Sequence, residues 1–245
     1  MKLSEQERSA RKSAFHQMNS AQKLDYIITY YKFPILLGLI AIVILCSTIY
    51  RQFSKKEILL YAAYVNVAVG EDLDHALTSE FVGAVGRDKR QNEVYVYRGL
   101  YLSDDSSLAN HEYAYASRLK LLGTINAKQL DIVLMNREAY DIFSQSGYLL
   151  ELSPPRLGDT ELRQKLAPYL CDNTVVIEDN AVEYNLNEAD VYQAVTEKVQ
   201  NAVEVSSLPI FQAAGFSDPV YLGVIANSPR YSADLLFIEY LVTTE

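Results

Sequence analysis

The sequence predicts an α/β domain that follows a single membrane-spanning helix. Residues 33–50 form an uncharged, apolar run of eighteen residues, and the chain after this run alternates between strand-like and helix-like patterns of apolar side chains. An α-helix rises about 1.5 Å per residue, so such a run reaches roughly 27 Å, close to the hydrocarbon thickness of a bilayer. We therefore expect four parts: a basic cytoplasmic arm (1–32), a transmembrane helix (33–50), a linker (51–57) and an extracellular α/β domain (58–245).

The residues that flank the apolar run are typical of a membrane interface. Tyr30, Tyr31 and Tyr50 bracket the run, and Lys32 and Arg51 lie where long side chains carry their charge back to the lipid headgroups. No cleavage site of small residues follows the run. These features favour an uncleaved anchor over a removed signal peptide.

The orientation of the anchor is predicted from the charges around it. Six Lys/Arg and three acidic residues precede residue 51, and all of them lie in the arm. The count close to the run favours the opposite orientation, because Arg51, Lys55 and Lys56 follow it and only Lys23 and Lys32 lie within twenty residues before it. We still expect the N-terminus in the cytoplasm, because long domains translocate largely regardless of charge.

Composition limits the partners of the large domain. After residue 50 the chain has sixteen Lys/Arg and twenty-eight acidic residues, so most of the net charge of −9 lies there. An acidic domain is a poor match for nucleic acid or anionic lipid, which bind basic surfaces. The two cysteines, Cys46 in the apolar run and Cys171 far from it, predict no disulfide and no cysteine-bound zinc.

The first half of the domain alternates strands and helices. Residues 58–69, 93–102 and 131–135 are rich in β-branched and aromatic side chains, which predicts three strands. Helices are expected between them, at residues 71–85 and 107–126, and Asn136 caps a further helix that Gly147 ends. This order predicts a largely parallel sheet.

The second half of the domain departs from this alternation. We expect a short strand at 149–152, a short helix at 161–170, and a hairpin at 174–184 whose turn is residues 178–180. The next helix is expected to bury Val191, Ala194, Val195, Val199 and Ala202. A strand at 219–225 then leads to a terminal helix. That helix is expected to begin at Ser228-Pro229 and to bury Ala233, Leu236, Phe237 and Tyr240.

Three stretches resemble known proteins. Residues 120–152, KLLGTINAKQLDIVLMNREAYDIFSQSGYLLEL, and residues 220–241, VYLGVIANSPRYSADLLFIEYL, are similar to segments of type 2 extracellular solute-binding proteins. Residues 23–40, KLDYIITYYKFPILLGLI, look like the anchors of a group of single-pass proteins of Gram-positive anaerobes. The resemblance implies a periplasmic-binding-protein-like α/β domain, with one main lobe and a reduced second part, that binds a solute without catalysis.

The candidate ligand-binding residues are Asp104, Asp105, Ser106 and Ser107. They follow a predicted strand and precede a predicted helix, where open α/β sheets place ligand contacts. Two acidic residues there repel an anion and favour a cation or an amine. An ordinary polar helix cap is the competing interpretation.

Other chemical signals are weaker. Glu71, Asp72, Asp74 and His75 are interpreted as solvated residues of a first helical turn rather than as metal ligands. No nucleophile, metal or dinucleotide motif is present. We therefore expect no enzyme activity, no metal and no cofactor. Two functions compete: capture of a small solute at the membrane, and docking to other proteins as an accessory subunit of a cell-envelope or transporter assembly.

Overall fold

The computed structural model describes residues 19–53, 56–104, 110–153, 161–181 and 191–244. The chain divides into two compact units, Met1–Lys55 and Lys56–Glu245. Among the described residues of the first unit, helix α1 runs over Ser20–Phe53. Among the described residues, no helix combines the length and the apolar character needed to cross a membrane. The span expected at residues 33–50 stays a prediction.

The second unit is an α/β domain built on one six-stranded sheet. Its strands are β1 (Glu57–Val65), β2 (Asn92–Leu100), β3 (Ile132–Met135), β4 (Leu170–Asp179), β5 (Ala194–Glu204) and β6 (Tyr221–Val224). Helix α2 consists of three consecutive segments: Glu71–His75, a π-helical turn at Ala76–Glu80, and Phe81–Ala84. The other helices are α3 (His111–Asn126), α4 (Arg137–Gln145), α5 (Glu161–Leu166, continued by a 3-10 turn at Ala167–Tyr169), α6 (Pro209–Gln212) and α7 (Tyr231–Thr243). The α/β class expected from the sequence is confirmed.

The sheet is mixed, whereas a largely parallel sheet was expected. The strand order is β2-β1-β3-β6-β5-β4. Strands β2, β1 and β3 are parallel, and β6, β5 and β4 each run antiparallel to the strand before them in this order. A parallel pair needs a long crossover connection, usually a helix, whereas an antiparallel pair does not. The helix-rich first half of the domain therefore forms the parallel part, and the second half forms the antiparallel part.

Helices cover both faces of the sheet. Successive strand residues point to opposite faces, so Tyr64 and Leu134 belong to one buried cluster, and Val65 and Met135 belong to the other. Helices α2 and α7 bury their apolar side chains in the first cluster, and α3 and α4 bury theirs in the second. The domain therefore has three layers, helix–sheet–helix.

The local signals in the first half are confirmed. Helix α2 begins at Glu71 as expected, the Asn136 side chain accepts a hydrogen bond from the backbone N–H of Ala139, and Gly147 follows α4 with φ of 68°. Strand β1 ends earlier than expected, at Val65. The next residue, Asn66, has φ of 58°, which a strand does not accommodate.

The helix expected to bury Val191, Ala194, Val195, Val199 and Ala202 is wrong. Residues 194–204 form strand β5 instead. Valines that recur at every fourth position lie on one face of a helix, but an even spacing also keeps them on one face of a strand. The spacing therefore fits both structures. Because valine prefers strands and long-range pairing with β4 is available, the strand forms.

Two further expectations for the second half need correction. The turn at residues 178–180 is wrong, because Glu178 and Asp179 continue strand β4 and pair with Val195 and Ala194. The strand at 149–152 is reduced to one isolated bridge, between Leu149 and Ile225.

The carboxy-terminal segment joins the same sheet as β1. Strand β6 pairs with β3, which pairs with β1. Helix α7 buries Phe237 as expected, but Leu236 is 45% exposed and the buried set includes Asp234. The first helical residue is Tyr231 rather than Pro229, and Ser228 accepts a hydrogen bond from the backbone N–H of Arg230.

Candidate functional site

A crevice opens at the carboxyl ends of β1 and β3. Helix α2, which follows β1, covers one face of the sheet, and helix α4, which follows β3, covers the other. The chain thus leaves two adjacent parallel strands in opposite directions. Open α/β sheets bind their ligands at such a switch point. The crevice has a volume of about 680 Å³, and its walls come from residues 66–68, 136–141 and 216–220.

Asn66 fixes one wall of this crevice. Its side-chain Nδ2 donates to the carbonyl oxygen of Leu102 at 2.6 Å, and its Oδ1 accepts from the backbone N–H of Leu102 at 2.8 Å. One amide therefore joins the segment after β1 to the segment after β2. The left-handed backbone conformation of Asn66, uncommon for a residue other than glycine, positions the amide for both bonds.

Arg137 is the one basic side chain that lines the crevice among the described residues. Its Nε lies 3.0 Å from Oδ1 of Asp141, and its guanidinium carbon lies 5.5 Å from the ring centre of Tyr140 and 5.9 Å from that of Tyr221. Desolvation lowers the pKa of Arg137, but contacts with Tyr221 and Asp141 outweigh this effect and raise the pKa. Arg137 therefore stays charged and balances one of the nearby carboxylates.

A second crevice adjoins the first and shares Ala68 and Phe216 with it. It has a volume of about 570 Å³ and lies between the start of α2 and the segment around α6. Most of the charged residues in the two linings are acidic, with Glu138, Asp141 and Asp218 in the first and Glu71, Asp72 and Glu80 in the second. Six carboxylates against one arginine favour a positively charged ligand over an anion.

The candidate residue Asp104 lies after β2 at the same edge of the sheet, but on the outer side of β1. It is paired with Arg118 of α3, with 2.6 Å between Oδ1 and Nη2. Asp105, Ser106 and Ser107 lie outside the described residues. Leu102, two residues before Asp104, is hydrogen-bonded to Asn66 in the wall of the crevice. The sequence-based site therefore stays a prediction, and the structure adds a second candidate site beside it.

The acidic residues at the start of α2 have separate roles. Asp74 accepts three hydrogen bonds from Arg98, from Nη2 at 2.6 and 2.7 Å and from Nε at 3.1 Å, and a fourth from the Tyr64 hydroxyl at 3.1 Å. His75 faces Glu80 at 3.3 Å. Within the ranges that the structure describes, no group of three or more His, Cys, Asp or Glu side chains is placed to hold a metal ion.

Asn66 and Arg137 were missed by the sequence-based search. Asn66 comes directly after β1, and Arg137 follows Asn136, the helix cap after β3. These positions are a usable signal, but no motif distinguishes the two residues from ordinary turn residues. The wall formed by residues 216–220 could not be found from the sequence, because it depends on β6 lying beside β3.

Comparison of the chain with protein-family models, with curated proteins and with solved structures finds no match in any of the three.

Proposed function

We propose that this chain is a single-pass membrane protein with a cytoplasmic N-terminus and an extracellular α/β domain that binds a solute without catalysis. The fold is consistent with a solute-binding lobe, because a crevice at the switch point of an open sheet is where such a lobe would hold its ligand. This crevice between β1 and β3 is the observation that carries the proposal.

The membrane part of the proposal rests on the uncharged run at residues 33–50. Eight aliphatic side chains within this run are 48–67% exposed: Leu36, Leu37, Leu39, Ile40, Ile42, Val43, Ile44 and Leu45. An uncharged run of exposed aliphatic side chains favours an apolar environment, either a protein core or a lipid bilayer. A bilayer also explains the tyrosines at both ends of the run.

The proposed solute is small and carries an amine or another positive charge. The acidic linings of both crevices favour a cation. Phe216, which both linings share, offers an aromatic ring that a cation can contact. Arg137 can meet a carboxylate of the same solute, so free amino acids and polyamines are the first classes to test.

Thermal unfolding of residues 56–245 tests this function, because a ligand that binds only the folded state raises the midpoint. These residues contain the whole sheet and both buried clusters. We expect lysine, putrescine or spermidine to raise the midpoint, and neutral monosaccharides not to. The double variant Glu138→Gln/Asp218→Asn should lose this increase in the midpoint. Glu197→Gln, in the exposed part of β5, should keep it. No response to any amine or amino acid would contradict the proposal.

Docking to another protein is the second candidate function, and one observation favours it. Strand β5 pairs with β6 only at Val203 and Glu204, so its first residues pair with β4 alone. Large apolar side chains are exposed in this two-stranded extension, at Ile177 and Val195, and just before β5, at Val191 and Tyr192. Two-stranded ribbons are marginally stable by themselves, and exposed apolar patches often mark protein contacts.

A photo-crosslinking residue at position 177 distinguishes this second function. A specific crosslinked partner in cells, absent when the same residue is placed at exposed position 197, would favour an accessory subunit. Equal, unspecific labelling from both positions would leave no support for docking through the extension.

A further inference from the structure

A carboxyl group without a hydrogen-bond partner is buried under α7. Asp234 has 0% exposure, and it lies on the face of the helix that also buries Phe237, Ile238 and Leu241. Neither of its carboxyl oxygens has a hydrogen-bond partner. An ionised carboxylate in such surroundings is strongly disfavoured, because it has lost its water and gained nothing in exchange.

One polar group beside Asp234 is the Ser228 hydroxyl. This hydroxyl has a single proton, and it donates it to Oδ1 of Asp131 at 2.8 Å. The Ser228 oxygen also accepts a hydrogen bond from the backbone N–H of Arg230 at 3.1 Å, which leaves one lone pair available. Ser228 therefore cannot donate a hydrogen bond to Asp234. Its oxygen can, however, accept a hydrogen bond from the Asp234 carboxyl when that carboxyl is protonated.

The charges that face Asp234 do not compensate a second carboxylate. Asp131, in the residue before β3, is itself fully buried, and its Oδ2 lies 2.7 Å from Nε of Arg230 and 2.7 Å from the backbone N of Tyr61 in β1. One guanidinium thus serves two buried carboxyl groups, Asp131 and Asp234. Asp131 has the better partners, so the uncompensated group is Asp234.

Asp74 and Lys165, on two helices that pack against α7, have charged partners of their own. On α2, Asp74 is bound to Arg98. On α5, Lys165 pairs with Glu161, and it also acts on Glu239, which is on the exposed side of α7. Among the described residues, the charged groups that act on Asp234 are Asp131 and Arg230.

We propose that Asp234 is a proton-binding site that holds α7 on the sheet. The protonated carboxyl donates to the Ser228 oxygen, Ser228 donates to Asp131, and Asp131 is paired with Arg230. Loss of the proton places an unpaired negative charge under the helix and weakens its attachment. The domain therefore carries a pH-sensitive latch at the edge of the sheet opposite the crevices.

The titration of Asp234 sets the working range of this latch. Burial raises the pKa of its carboxyl to about 7, the Asp131 carboxylate raises it too, and the Arg230 guanidinium acts in the opposite direction. The folded state therefore keeps a proton that the unfolded chain releases near its ordinary pKa of 3.8. The stabilisation is complete below about pH 4, and it is lost as the pH rises to about 7.

Release of α7 from the sheet would alter the lining of the second crevice. Phe237 of α7 contacts Phe81 of α2 edge-on, with 4.9 Å between the ring centres, and the Tyr240 hydroxyl donates to the carbonyl oxygen of Ala76 at 3.1 Å. Ala76 and Thr244, the residue that follows α7, both line this crevice. The latch itself does not depend on the identity of any solute.

Thermal unfolding of the full chain between pH 4.5 and pH 8.5 tests the proposal. The wild-type midpoint should fall by roughly 5–10 °C across this range. Asp234→Asn keeps a donor for Ser228 and cannot ionise, so its midpoint should fall much less and should exceed the wild-type midpoint at pH 8. Glu239→Gln removes an exposed carboxyl from the same helix and should keep the wild-type dependence.

Asp234→Leu, which also cannot ionise and suits the apolar surroundings, serves if the asparagine variant does not fold. Infrared spectra give an independent check on the two folded proteins. The wild type should show a protonated-carboxyl band at pH 6 that disappears by pH 9, and the variant should lack this band. A wild-type midpoint that does not change with pH, or an unchanged slope in both Asp234 variants, would overturn the proposal.

Discussion

Asp131 and Arg230 are 99 residues apart in the sequence, yet they form a buried ion pair with 2.7 Å between Oδ2 and Nε. The guanidinium also donates from Nη2 to the carbonyl oxygen of Lys128 at 2.8 Å and lies 4.6 Å from the ring centre of Tyr61. The pair therefore joins the start of β3, strand β1 and the start of α7 at one point. Its loss should affect the whole domain.

Replacing Arg230 with Met should lower the free energy of unfolding by about 3–5 kcal/mol, because Asp131 would remain buried without a counter-charge. Arg118→Met is the matched control. Arg118 pairs with Asp104 at an equally short 2.6 Å, but the Asp104 side chain is 69% exposed. This exposed pair should contribute at most about 1 kcal/mol. Urea unfolding of both variants measures how much free energy of unfolding each one loses. Equal losses would contradict the expectation that burial of the ion pair, and not its length, sets the loss.

Replacing Asn66 with alanine should destabilise the domain more than replacing it with glycine. Both substitutions remove the two hydrogen bonds to Leu102, at a cost of about 1–3 kcal/mol. Alanine must also adopt the left-handed backbone, which adds about 1 kcal/mol relative to glycine. Urea unfolding of Asn66→Ala and Asn66→Gly measures this difference. If the glycine variant were the less stable of the two, the backbone conformation at Asn66 would have no part in the effect.

The sequence predicted the first half of the domain better than the second, because local patterns determine the elements of the first half. The strands and helices up to Gly147 have unambiguous periods and caps, such as the Asn136 side chain on the Ala139 N–H. The valines of β5 fit two periods, and only pairing with β4 selects the strand. Long-range partners also explain why Asp234 was missed, since a lone acidic residue in a helix normally faces solvent.

The candidate site also has parts that follow from local sequence and parts that depend on long-range strand pairing. The end of a strand can be found from the sequence, and Asp104 is a candidate because it follows such an end. The crevice, however, lies between β1 and β3 and is closed by residues 216–220. This arrangement requires the strand order of the sheet. No local pattern contains that information.

The membrane anchor is tested by a charge at its centre. Ile40→Arg should oppose insertion by about 3 kcal/mol and should release or mis-sort the protein, because a charged side chain is costly in hydrocarbon. Ile40→Leu is the control, and it should leave the protein in the membrane fraction. Fractionation of cells that express each variant gives the result. An arginine variant that stays fully in the membrane fraction would show that this run does not hold the protein there.

Phe237 tests the packing of α7. Its ring is 1% exposed and meets Phe81 edge-on, so Phe237→Ala should cost about 3–5 kcal/mol through lost burial and a new cavity. Leu236→Ala, on the exposed side of the same helix, should cost much less, within about 1 kcal/mol. Chemical unfolding of both variants gives the comparison. Similar losses at the two positions would place the buried face of α7 elsewhere.

Deletion of residues 219–245 should unfold the isolated domain rather than shorten a tail. Strand β6 lies between β3 and β5, so its removal separates the parallel part of the sheet from β5 and β4. The deletion also removes Arg230 and Phe237, which leaves Asp131 without its ion pair and Phe81 without its packing partner. Together with the loss of β6, these changes are comparable to the total stability of an ordinary domain, about 5–15 kcal/mol. We therefore expect residues 56–218 to show no cooperative thermal transition by circular dichroism, while residues 56–245 melt cooperatively. A truncated domain that melts cooperatively at an unchanged midpoint would mean that β6 and α7 lie outside the core.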